Sequence, residues 1–116
     1  MQKKKVRELS GLELKKPYGF SADTGKLLSL AEIKVENPRL LDLDLLAPQK
    51  LAELVIARFK MEPDTLEIAI LNGQILTLDD IIDEIKRDTP IGREFIQAER
   101  IWMARVQEKL AKGEYV

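Results

Sequence analysis

From Thr89 to Gly113 the chain carries the local signals of one long helix, and this segment constrains the fold more than any other. Thr89 or Asp88 caps its start, Pro90 suits the first helical position, and Gly113 stands beyond its end, about 22 residues later. Ile91, Phe95, Ala98, Trp102, Val106 and Leu110 are spaced 4, 3, 4, 4 and 4 apart, a single apolar stripe at the helical period. Ile96, Ile101 and Met103 lie off that stripe, so the helix has more apolar surface than one face can bury, and the surplus points to a partner. Phe95 and Trp102 read as core or subunit interface.

Two further helices precede it. Pro48 opens a helix over about residues 48 to 60, in which Leu51, Leu54, Val55 and Phe59 recur at helical spacing. Glu62, Pro63 and Asp64 stop it. Thr77 can cap a helix over residues 78 to 87, with Asp79 and Asp80 in its positive first turn and Lys86 and Arg87 at its negative end. Leu78, Ile81, Ile82 and Ile85 form its stripe. Between the two helices, residues 64 to 77 read either as a hairpin of LEIAIL and QILTL around Asn72-Gly73 or as a helix over 64 to 71 ending at that dipeptide. The helix is preferred, because Pro63-Asp64-Thr65 is a good start and its neighbours are helical.

Residues 1 to 38 have a different character. Gly11, Pro17, Gly19, Gly25 and Pro38 fall close together with no sustained helical period, which predicts an extended N-terminal arm; within it, Lys26 to Val35 reads as a short helix or strand. Residues 39 to 116 then form the helical domain. In RLLDLDLL an extended backbone puts Leu41, Leu43 and Leu45 on one face and Asp42 and Asp44 on the other, so the leucine face needs a cover. The fold class expected is mainly α: a small domain of three to four helices with an extended arm.

Composition then removes chemistry. With no cysteine and no histidine among 116 residues, disulfides, thiolate nucleophiles, the common zinc sites and imidazole acid/base catalysis are excluded. Ser10, Ser21 and Ser29 have no imidazole to activate them. Nineteen basic against 20 acidic residues give no global field toward nucleic acid or anionic membrane. Lys3, Lys4, Lys5 and Arg7 read as a solvated terminus, and no signal peptide or membrane span follows them, so a cytoplasmic protein is expected. Asp79, Asp80, Asp83 and Glu84 read as a solvated helix face, as do Asp42 and Asp44, which lack the glycine and distal glutamate of a calcium loop. Thr24-Gly25-Lys26 lacks the earlier glycine of a phosphate-binding loop and reads as a turn. Residues 51 to 73 have the cadence of a helix-turn-helix, but Glu67, Ile68, Ala69 and Ile70 offer nothing to base edges, which argues against DNA.

Taken in order, several segments resemble the small (gamma) subunit of adenosylcobalamin-dependent diol and glycerol dehydratases. In that family a proline is followed seven residues later by TGKPL; here Pro17 precedes Thr24-Gly25-Lys26-Leu27-Leu28 by the same spacing. The family's D-L-R-I-S-P-E-T-L is similar to Asp44-Leu45-Leu46-Ala47-Pro48-Gln49-Lys50-Leu51, and its P-D-x-x-I-L-x-I-Y-N to Pro63-Asp64-Thr65-Leu66-Glu67-Ile68 with Leu71-Asn72. Its T-x-x-E-L-L-x-I-A helix resembles Thr77 to Ile85, and its F-V-R-E-A helix resembles Phe95-Ile96-Gln97-Ala98-Glu99, with a similar Lys112-Gly113 at the end. The family's N-F-x-R-A-A-E-L helix is largely missing, and Gly73-Gln74-Ile75-Leu76 replaces its L-R-P-x-R-S/T turn. The resemblance implies a noncatalytic small subunit of a lyase complex that clasps a larger catalytic subunit, with cobalamin and substrate in that partner and no cofactor, metal or catalytic residue of its own.

The expected partner interface comprises Phe95, Trp102 and Val106 on the last helix and Leu41, Leu43 and Leu45 before the first. A helical adaptor or assembly protein is the alternative, and a helix-turn-helix module a more distant one.

Overall fold

The computed structural model describes residues 11 to 113; the basic residues at positions 3 to 7 lie outside them. In chain order the described residues form helix α1 (Gly11–Lys15), strands β1 (Pro17–Phe20) and β2 (Leu27–Ser29), and helix α2 (Leu30–Glu36). After a 3-10 turn at Leu43–Leu45 come helix α3 (Pro48–Phe59), strands β3 (Glu67–Ala69) and β4 (Ile75–Thr77), and helices α4 (Leu78–Lys86) and α5 (Pro90–Ala111). The fold is mainly helical, with two small antiparallel hairpins.

Helices α3, α4 and α5 follow the local signals closely. Pro48 opens α3, where a missing N–H costs nothing. Thr77 and Asp80 make a capping box on α4, the hydroxyl accepting from the Asp80 N–H at 3.2 Å and the carboxylate from the Thr77 N–H at 3.0 Å. Thr89 caps α5 by accepting from the Gly92 N–H at 3.0 Å. The joint between α4 and α5 is tight, with the Thr89 N–H bonded to the Glu84 carbonyl at 3.2 Å and Asp88 turned to a φ of 54°.

Residues 11 to 38 are not an extended arm. β1 and β2 form a hairpin whose Pro17 faces Ser29, and residues 20 to 22 pair on their other side with residues 39 to 41, the Ala22 N–H donating to the Arg39 carbonyl and the Leu41 N–H to the Phe20 carbonyl. Tyr18, Phe20, Leu30 and Ile33 enter the same core as Leu54, Val55, Phe59, Ile81, Ile85, Met103 and Val106. The glycines and prolines mark turns between short elements, and two aromatics one strand period apart supply the burial. Ser29 and Glu32 close a second capping box at the start of α2.

Residues 64 to 77 resolve as a hairpin rather than the preferred helix. Ile68 faces Leu76, and Ile70 and Gln74 close a three-residue loop in which the Gly73 N–H donates to the Ile70 carbonyl at 2.9 Å and Gly73 takes a φ of 86°. This is a type I turn followed by a left-handed glycine, a standard three-residue hairpin. A helix over 64 to 71 would have left Leu76 without its cross-strand seat in the core, where it is 2% exposed. The helix-turn-helix reading goes with it, since its reading helix is a strand.

The RLLDLDLL segment is not a continuous strand either. Asp42 accepts from the Asp44 N–H at 2.9 Å and folds the chain into the 3-10 turn, which sends the three leucines in different directions.

Candidate functional site

The densest set of polar side chains in the interior lies between α1, β1, α3 and α5. Arg58 is 2% exposed on the inner face of α3. Its position is set by helix periodicity: four residues after Leu54 and three after Val55, it stands on the buried stripe rather than opposite it. That placement was the available sequence signal for a buried ion pair, and the apolar count alone passed over it. The guanidinium donates to Glu99 Oε1 at 2.9 Å, to the Pro17 carbonyl at 3.0 Å and to Glu13 Oε1 at 3.1 Å, and it lies 4.4 Å from the centre of the Tyr18 ring.

Glu13 gathers the rest of the cluster. Its Oε1 accepts from the Tyr18 hydroxyl and from the Trp102 indole N–H at 3.1 Å, and its Oε2 faces Lys16 Nζ at 3.2 Å. The Trp102 N–H also reaches the Tyr18 oxygen at 2.9 Å, and Lys16 bonds Glu62 as well. Burial acts to raise the Glu13 carboxyl, but the Tyr18 and Trp102 donors and the charges of Lys16 and Arg58 outweigh it and hold the group at about 2. Burial, with the hydrogen bond to Glu13, pushes the Tyr18 hydroxyl well above its ordinary range. Burial works against the Arg58 charge, yet Glu99, Tyr18 and Glu13 leave its affinity for the proton raised. Useful general acids and bases have proton affinities near the working pH, and all three move away from it, Glu13 downward and Tyr18 and Arg58 upward. The cluster is a clamp that fastens α1 and β1 to α3 and α5, assisted by Gln107, which donates to the Tyr18 carbonyl at 2.7 Å.

The residues expected at a partner interface divide between interior and surface. Val106 and Leu43 are buried in the chain's own core. Phe95 packs edge-on against Phe59 with ring centres 5.8 Å apart, and Trp102 is half-buried with its indole N–H turned to Glu13. Leu41 and Leu45 face outward, Leu45 at 82% exposure. On α5 the buried line runs through Gly92, Met103 and Val106, so Met103, expected off the stripe, is fully buried and Ala98, expected on it, is exposed. Gly92 admits α4 directly against α5: a Cβ there would stand 2.2 Å from the Glu84 carbonyl oxygen.

Four of the acidic residues have structural partners. Asp80 caps α4, Asp83 and Glu84 pair with Arg87 at 2.8 and 3.0 Å, and Asp44 pairs with Arg100. Among the described residues no group of three or more carboxylates could hold a metal ion. A groove of about 1050 Å³ lies between the 3-10 turn, α3, α4 and α5, lined by Leu46, Leu51, Ala52, Ile96, Lys86 and Arg100 among others.

Comparison of the chain with protein-family models, with curated proteins and with solved structures finds no match in any of the three.

Proposed function

We propose that this chain is a noncatalytic small subunit, a helical protein-binding domain that works by attaching to a larger protein. The observation that carries the reading is a division of labour among side chains. The interior polar groups are spent on holding the fold together, while Leu45, Val35 and Leu71 stand outside at 82%, 84% and 108% exposure. Large aliphatic side chains so placed are stabilised by a partner's surface, not by this chain. The order of segments from Pro17 to Gly113 favours the sharper version, the small subunit of a cobalamin-dependent diol or glycerol dehydratase. In that case cobalamin and substrate belong to the larger subunit, and the complex is cytoplasmic.

Affinity capture of the full chain at native expression level in its host tests the reading. A larger protein recovered at fixed stoichiometry, and retained through size exclusion, is expected. Elution of the chain alone as a free monomer would overturn it.

A further inference from the structure

The β3–β4 hairpin carries apolar side chains on both faces, with Glu67 and Thr77 paired beside them on the outer one. On the inner face Leu76 enters the core and Ile68 packs against it. On the outer face the cross-strand pair Ala69 and Ile75 and the turn residue Leu71 are all exposed, Ile75 at 59% and Leu71 completely. A two-stranded sheet with one solvated face ordinarily alternates apolar and polar residues, so an isoleucine and a leucine on the wet side are an anomaly that the fold does not explain.

The charge of the segment that carries this face is one-sided. From Met61 to Ile85 the chain carries seven of its 20 carboxylates and none of its 19 Lys and Arg residues. Glu62, Asp83 and Glu84 find cations from outside the segment, and Asp80 is used as a cap. Asp64, Glu67 and Asp79 are exposed and lie in no ion pair among the described residues. Two copies stacked hairpin to hairpin would bring their Glu67 carboxylates together, which costs free energy. A foreign surface with Lys or Arg around an apolar centre would meet both the charge and the greasy patch.

Building on the subunit reading above, we infer that the outer face of the β3–β4 hairpin docks a basic, apolar-centred segment of another protein, with Leu71 and Ile75 as anchors and Glu67 as its ionic rim. The substitutions that test this fall on exposed positions and leave the core intact.

The test uses the full chain and two labelled, capped peptides, one alternating leucine and lysine, the other leucine and glutamate, followed by fluorescence anisotropy at physiological salt. The leucine/lysine peptide is expected to bind, and the glutamate peptide at least about tenfold more weakly, a difference within reach of a few ionic contacts. Leu71→Ser with Ile75→Ser should weaken binding by about tenfold or more, because two aliphatic anchors lose their burial. Glu67→Lys should also weaken it, while Leu12→Ser, at an exposed leucine on α1, should not. Circular dichroism verifies that each variant is folded. Equal binding of both peptides, no binding of either, or unchanged binding to the Leu71/Ile75 variant would overturn the inference. So would sedimentation showing a dimer of the parent chain that Leu71→Ser abolishes, since a second copy would then own this face. A native partner captured equally well by the Leu71/Ile75 variant would defeat this inference and leave the subunit reading standing. Peptide discrimination without any captured partner would do the reverse.

Discussion

Arg58 illustrates how one residue ties distant parts of the chain together. A guanidinium withdrawn from water is tolerated only when its charge and donors are met, and here Glu99, Glu13 and the Pro17 carbonyl meet them. Arg58→Ala takes the shared cation from two partly buried carboxylates, Glu13 and Glu99, and we expect it to cost about 3 kcal/mol, read as a lowered midpoint in urea denaturation. A gain or no change in stability would show that the ion pairs do not hold α1 and β1 in place. The acid response follows from Glu13. Its carboxyl is held at about 2 in the folded chain against an ordinary 4.5, so its contribution is complete above about 4.5 and fades as the pH falls toward 2. Glu13→Gln removes that dependence, and its stability should vary less between pH 4.5 and 2 than the parent's, measured by urea midpoints across that window.

At the scale of elements, close approach matters more than propensity. Gly92→Ala would normally favour a helix by up to about 1 kcal/mol. Here the new methyl meets the backbone of α4 at 2.2 Å, and a carbonyl cannot swing aside as a side chain can. The two helices must separate, so a net loss of about 1–3 kcal/mol is expected, seen as a lower thermal midpoint. The helices themselves were legible in the sequence because Pro48, Thr77, Thr89 and the spacing of their apolar residues act within a turn or two of where they stand. The hairpin was not, since Asn72-Gly73 suits a helix end and a hairpin loop alike, and the choice is made by Ile68 meeting Leu76 across the strands. Likewise the glycines and prolines near Tyr18 signal turns, but nothing local tells that Tyr18 will seat under α3 and α5. The clamp joins Glu13 to Arg58 and Trp102 over 45 and 89 positions, a separation no periodic pattern records.

For the whole molecule the question is whether residues 11 to 38 are a separable strap or part of the body. Burial answers it: Tyr18 and Leu30 are as inaccessible as Leu54 and Val106, and β1 is hydrogen-bonded on both sides, to β2 and to residues 39 to 41. Segments that share one core open together, so their amides should exchange with similar free energies of opening. Hydrogen exchange on the isolated chain is therefore expected to protect the 17 to 36 segment to within about tenfold of α3, a factor worth roughly 1.4 kcal/mol. α1, which buries no side chain completely and is held by the Glu13 contacts and the packing of Leu14 against the core, should exchange faster. Rapid exchange throughout residues 17 to 36 in the isolated chain would mean that this region folds only on a partner. Protection means that residues 17 to 36 cannot themselves be what reaches out to a larger subunit. On the subunit reading proposed above, that contact would fall to the outward-facing leucines and the acidic hairpin.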